Sequence, residues 1–456
     1  MAYSKKGKRA FEYANKAAHS HIISDDVVKD FLRNCKLPKR SEDVTINEED
    51  IESVDDPENI IEENPIEHVV VIDGSFSTVP VYEKYPSSEF TFFQFGALKF
   101  SLSYLEEISE QHFVGPEDIS RLKDEFGRIK LAVPTKNITY RTEFSLLNSI
   151  RKAIFEFFLA DITYEFFDNS VNEKFIDTFQ WLIFEEYKSP SSPSYQLGSC
   201  PHCRQSKIDL LKNSMADYTF KCPYCNELIY LTDVLRLHEL IDEDLGANGI
   251  IFMLLRTLEQ LLLVLIIKIV LNTNPDLLGN TLFIQDGPLA LFGQTAKLYA
   301  SMEKLVKFLF ENHDLFLIGL EKHGAFAEHA EEISHKLNPR EILVLDTNYI
   351  YTYIKNGDPT TTEPFGRSTY YGNKLVFKSK DNKVYVATLP MKKNLLAPKK
   401  SDFKNIDIIL ANIEYLKCEL YDDAILPIVL VNRLVSLSDR PGSAILGKFA
   451  KREIGN

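Results

Sequence analysis

Four of the six cysteines fall in two pairs, Cys200-Pro-His-Cys203 and Cys222-Pro-Tyr-Cys225, with eighteen residues between them. Each CxxC knuckle can turn two thiolates toward one ion, and two knuckles at this spacing make the ligand set of a zinc ribbon. Zn2+ accepts four soft ligands in a tetrahedron, and a closed set of four leaves no open position for catalysis. A redox dithiol or chance would each account for one pair but not for both. His202 lies inside the first knuckle and is not needed as a ligand. Cys35 and Cys418 read as ordinary buried thiols. Two uses are open to the module: stapling an insertion too small to build its own core, or contacting DNA or a partner.

Three acids form a second candidate set. Asp73 follows the apolar run HVVVI, Asp286 follows TLFIQ, and each precedes a glycine. Both are expected at the end of a short strand, where a tight turn leaves the carboxylate reachable. Glu259 lies within MLLRTLEQLLLVLIIKIVL, where a lone charge is costly unless it is paired or binds an ion. Three oxygen donors of this kind suit a hard divalent cation, which can activate water and stabilise the charge of phosphodiester cleavage. Plainer readings stand beside this one. Asp-Gly is a common turn, and Glu259 has Arg256 and Lys268 as possible partners. Asp346, in LVLDTN, is a further candidate that would serve equally as a helix cap. Lys322, in GLEKHG after an apolar run, suits either a phosphate contact or a solvated loop.

The elements that must position these groups can be placed along the chain. Residues 1–40 carry helical spacing, with Phe11, Ala14 and Ala18, then Val27, Val28, Phe31 and Leu32 after a Ser24-Asp25 cap signal. Residues 41–67 hold twelve acids and no Lys or Arg, and read as a solvated linker. From His68 the β-branched run HVVVID, then TVPVYEKY (78–85) and FTFFQFGALKFSL (90–102), predict a three-stranded antiparallel meander. Residues 116–190 read as mainly helical, including one long run over 141–167. The cysteine module, 198–230, interrupts a main domain of residues 68–197 and 231–440, and 441–456 is a tail. After a helix starting at Thr232-Asp233 and the apolar helix 249–271, strands near 280–286, 314–321 and 341–346 alternate with helices. A hairpin over 374–390 and helices over 405–421 and 424–437 follow. The economical architecture is α/β, a mixed sheet flanked by helices.

The bulk composition excludes several classes. At 456 residues, 45% hydrophobic and 26% charged, the chain has material for a large core and is neither collagenous, mucin-like nor wholly disordered. A net charge of −14 argues against coating nucleic acid by bulk electrostatics. The twelve acids of residues 41–67 account for most of it, so local basic grooves remain open to the rest. The basic start MAYSKKGKRAFEYANK lacks the apolar core of a secretory signal, and a cytoplasmic location with reduced thiols is expected. Arg256, Glu259 and Lys268 interrupt the stretch 249–271, which favours a buried helix over a membrane span.

Taken in order, VVVIDGS, a β-meander, a helix carrying RTLE, LFIQDGPL and a strand ending in GLEKHG resemble the NurA nuclease family over residues 66–440, with the zinc ribbon inserted. The resemblance implies an RNase H-like fold and a dimeric, metal-dependent nuclease, usually using Mn2+ and otherwise Mg2+. It also implies action on DNA ends beside a HerA-like hexameric ATPase, in repair or phage defence. Carried over by position, Asp73, Glu259 and Asp286 match the family's acidic metal ligands. The family usually has a His in the final helix, where ILPIVLVNRLVSL places Asn432. An Asn can ligate through its carbonyl but cannot shuttle a proton. That departure keeps open an alternative, a degenerate adaptor that docks the ATPase and nucleic acid without cutting. An RNase is a third reading.

Overall fold

The computed structural model describes residues 16–35, 39–55, 60, 64–82, 87–103, 124–166, 169–417, 425–437 and 442–455; Phe11, Ala14 and Cys418 fall outside them. The β-branched run that begins at His68 does not stop at Asp73-Gly74. It continues as one strand, β2 (His68–Tyr82), paired residue for residue with β3 (Ser88–Ser101) as far as Pro80. Residues 78–82 are thus the far half of β2, because β3 pairs with it past Gly74 instead of leaving a turn there. The third strand of the meander is β4 (Asp124–Lys136), from a region expected to be helical.

On the other side of β2, β11 (Thr281–Asp286) joins in parallel, and β12 (Phe316–Glu321) lies parallel beyond it. β15 (Val384–Pro390) continues antiparallel to β12, followed by β14 (Gly372–Lys378) and β13 (Glu341–Val344). The edge is β1 (Ile51–Ser53), antiparallel to β13. The order is β1-β13-β14-β15-β12-β11-β2-β3-β4, a nine-stranded mixed sheet.

Both faces are covered. Val70 and Ile72 of β2 pack beneath α3 (Leu146–Leu159), α4 (Phe175–Ile183), α5 (Ile251–Thr273) and α6 (Tyr299–Asn312). Val69 and Val71, on the alternate face, pack with α8 (Ile406–Tyr415) and α9 (Leu426–Val435). A third cluster lies under α7 (Ala325–Ile333), and α10 (Gly442–Gly455) comes last. By length and composition alone the helix Asn248–Thr273 could cross a membrane, yet 83% of its most apolar window is buried in this fold.

Several expectations need correction. The stretch 41–67 is not wholly a solvated linker, since Val44, Val54 and Ile66 are buried and Ile51–Ser53 is a strand. Apolar residues spaced among the acids give it something to bury. The run 141–167 is helical only in α3, which Ser145 caps by accepting from the Asn148 N–H at 3.1 Å. It then turns into a ribbon of β5 (Asp161–Phe166) and β6 (Asn169–Lys174), as its β-branched and aromatic residues favour. In place of a helix from Thr232 there are short 3-10 turns, Leu231–Leu235 and Leu237–Leu240, because Asp233 is drawn into an ion pair instead. Cys35 is exposed, at the end of α2 (Asp26–Asn34), which follows α1 (Lys16–Ser24).

Candidate functional site

The cysteine module is two short hairpins, β7 (Ser194–Ser199) with β8 (Ser206–Leu211) and β9 (Thr219–Lys221) with β10 (Leu228–Tyr230). Their knuckles bring the four Sγ atoms within 4.8 Å of one another. Cys200 to Cys225 and Cys203 to Cys222 each measure 3.8 Å. A tetrahedron with Zn–S near 2.3 Å has edges of about 3.8 Å, whereas a disulfide would need about 2.05 Å. The cluster could hold a metal such as zinc.

The module is bolted to the main domain. Arg151 of α3 forms a fork with Asp233, just past the module in the main domain, Nε to Oδ1 and Nη2 to Oδ2 both at 2.8 Å, with both side chains buried. The same guanidinium donates to the Leu228 carbonyl at 3.1 Å and lies 3.1 Å from His202 Nε2. His202 is therefore a tie to the domain rather than a ligand. Leu197, Ile208, Phe220 and Ile229 join the main core, which favours stapling as the module's role.

The second site forms around the carboxyl end of β11. Asp286 is its last residue, and Gly287 makes the turn with φ +114°. Asp73 lies in the middle of β2 rather than at a strand end, opposite Gly96 of β3. Alternation along β2 points Asp73 and Ser75 to the α9 face, where the Ser75 hydroxyl donates to the Val435 carbonyl. Gly74 points to the other face. A Cβ there would lie 2.8 Å from Leu255 Cδ1 and 2.9 Å from Glu259 Oε1. The glycine is thus no turn; its missing side chain makes the space for a glutamate reaching in from α5.

Glu259 is 1% exposed and Asp73 7%. Burial pushes the Glu259 carboxyl up to about 8, against the pull of Arg256, and the charge on Asp73 adds to the rise. Burial pushes Asp73 up to about 7, helped by the charge on Asp286. Such mutual opposition is the sign of a cluster short of positive charge. Two cations meet part of the shortage. Arg256 Nη1 donates to Glu259 Oε2 at 2.8 Å and to the Asp286 carbonyl at 2.6 Å. Lys322, just past β12, holds Asp286 Oδ2 at 3.0 Å.

Asn432 of α9 completes the group. Its Nδ2 faces Asp286 Oδ2 at 3.4 Å. With the amide reversed, Nδ2 donates to Asp73 and Oδ1 accepts from Lys322 at 3.3 Å, which satisfies both ends. Of the five residues singled out from the sequence, Asp73, Asp286, Lys322 and Asn432 are in contact, and Glu259 joins them only through Arg256. Asp346 stands apart and serves as a cap, accepting from the Tyr349 N–H at 2.6 Å. Sequence reasoning weighed Arg256 only as a partner for Glu259 and missed its bond to β11; the RTLE spacing, three residues apart on one helix face, was the available signal. It also missed Gln285, whose Nε2 lies 3.5 Å from Glu259 Oε2 and whose Oε1 is buried without a partner.

The donor set fits a hard divalent cation in kind, being carboxylate and amide oxygens with unmet negative charge and an orphaned amide oxygen nearby. It is less tightly gathered than the thiols: among the described residues, only the cysteines bring three or more ligand atoms within 4.8 Å of one another.

No family model matches the chain, and no curated protein matches it in sequence. A solved structure described as "Crystal structure of NurA" is similar at 9% identity with a TM-score of 0.28, over 94% of this chain and 95% of that one. A likeness of that size supports no inference about this chain.

Proposed function

We propose that the chain is a divalent-metal-dependent nuclease of the NurA type, with an RNase H-like core, acting on DNA. The observation that carries this reading is the contact of Asp73, Asp286, Lys322 and Asn432 at the end of β11, with Glu259 linked to it through Arg256. The topology also favours it: a meander whose first strand is extended by two parallel strands, with acids on that strand, on the next and on the covering helix.

In this reading Asp73, Glu259 and Asp286 hold Mn2+ or Mg2+, which when bound supplies an activated water and charge stabilisation at the phosphate. The chain's own residues do the rest. Arg256 fixes Glu259 against the end of β11. Lys322 offers a cation to the substrate phosphate. Asn432 orients Asp73 through its amide, and, lacking an imidazole, moves no proton. The four cysteines hold zinc and keep the module folded.

We further infer a cytoplasmic homodimer that works with a HerA-like hexameric ATPase on DNA ends, in repair or phage defence. For docking that ATPase, α1 and α2 are the natural candidates. Val27, Phe31 and Leu32 lie exposed along α2, which buries none of its residues. Deleting residues 1–40 should weaken co-purification with the ATPase more than it lowers the melting temperature. The decisive assay is cleavage of single-stranded DNA, double-stranded DNA and RNA with Mn2+, with and without the ATPase. Wild-type protein inert under all of these conditions would sink the nuclease reading. The adaptor reading would then lead, supported by the cations that already pair with two of the three carboxylates and by Asn432, with Asn432→His as the test of whether an imidazole restores cleavage.

A further inference from the structure

The two cations of the carboxylate cluster are held in different ways. Arg256 is pinned. Its Nη1 binds both Glu259 and the Asp286 carbonyl. Its guanidinium fills the space that Gly287 leaves open, where a Cβ would lie 2.8 Å from Nη1. The Phe252 ring lies 5.4 Å from its Cζ. Lys322 is held by far less. Its ammonium has one ion pair, to Asp286 at 3.0 Å, and the Asn432 amide oxygen at 3.3 Å with the amide reversed. Exposure does not separate the two, at 19% for the Lys322 side chain and 25% for Arg256; the number and kind of bonds do. The lysine stem is flexible and its charge is a strongly hydrated point, readily moved to water. Two residues on, Gly324 sits at φ +96° with nothing near the position a Cβ would take, so the loop around Lys322 is uncrowded.

Charge balance says which cation would leave. With all three carboxylates ionised, as a bound metal would require, two cations leave one negative charge. Adding a divalent ion with both cations in place would leave one positive charge in a largely buried cluster, and such an imbalance is costly. Releasing Lys322 restores neutrality and frees an Asp286 oxygen. We propose that Lys322 is an exchangeable stand-in for the metal, holding Asp286 Oδ2 until a divalent cation displaces its ammonium toward the substrate side, while Arg256 stays in place. This rests on the nuclease reading and deepens it, since the same lysine would stabilise the empty site and then meet the phosphate.

The test is calorimetric titration of the full chain with Mn2+ alone, without DNA. Wild type, Lys322→Met, Lys322→Gln and Asp73→Asn are compared, with zinc content and a melting curve as checks of folding. Removing a competing, partly exposed ion pair should tighten Mn2+ binding by roughly fivefold in both Lys322 variants. Both should also melt below wild type without Mn2+ and regain more on adding it, although they cleave DNA less well. Folded Lys322 variants that bind Mn2+ as wild type does, or more weakly, would overturn the exchange and leave Lys322 a substrate contact or a ligand-positioning residue. The metal-site reading fails by a different sign: wild type showing no Mn2+ binding that Asp73→Asn removes, which takes the exchange down with it.

Discussion

In the cysteine module, four thiols within 26 residues are gathered by two tight knuckles, and their sulfurs already stand at the spacing a tetrahedral ion requires. Around β11, three carboxylates arrive from elements more than 200 residues apart and from both faces of the sheet, and internal cations stand between them. The soft site is local, its thiols held against one another and against backbone N–H groups of their own knuckles. The candidate hard site is global, and Arg256 and Lys322 already pair with two of its carboxylates. A metal should therefore be part of the folding energy in the first region and an addition to an existing structure in the second.

The largest effect that could break this contrast is loss of the thiols. A Cys203→Ser, Cys225→Ser protein should lose its zinc and open residues 198–230 to protease, since metal binding in such modules carries on the order of 10 kcal/mol of folding energy. Metal analysis finding no zinc in wild type purified without chelator would end the claim. Next comes Arg151, which pairs with Asp233 beside the module and reaches the module at His202 and Leu228. Arg151→Met should cost about 3–5 kcal/mol in denaturant melts, because it strands the buried Asp233 carboxylate. A loss under about 1 kcal/mol would mean that the buried pair adds little to packing around the module.

At the carboxylates the sign reverses. Asp73→Asn should cut metal-dependent cleavage by at least about 100-fold while leaving zinc untouched and the metal-free protein no less stable at pH 8. Cleavage at the wild-type rate would refute the metal assignment. The smallest effect is a pH slope. Asp73 and Glu259 have folded values raised to about 7 and about 8 from 3.8 and 4.5. The folded state thus holds more protons than the unfolded one between those limits. Their contribution is present below about pH 4 and is lost as pH rises through 7 to 8. Metal-free protein should melt lower at pH 8 than at pH 5.5, and Asp73→Asn should flatten the slope.

What could be read from the sequence follows the same division. The CxxC pairs declared themselves because their geometry is set within a few residues. The apolar helix around Glu259, the strand before Asp286 and the 374–390 hairpin were legible from hydrophobic pattern. The place of Asp73 was not, because Asp-Gly looks alike at a turn and in mid-strand. Only pairing with β3 and the approach of α5 decide between them. β4 was missed because the preference of its region for helix was overruled by pairing to β3. That Arg256 and Lys322 divide the carboxylates between them depends on which side chains the finished fold brings together, and no local spacing encodes that.

The acidic tract once taken for a spacer has a second consequence, through β1. A sheet this wide ends in backbone groups that could recruit a strand from another molecule. Here the outermost strand is only three residues long, and Glu48, Glu49, Asp50, Glu52 and Asp55 lie in and beside it. A second copy approaching that side would meet a short template and a bank of like charge. A short strand and like charge on that side both disfavour edge-to-edge pairing of two copies.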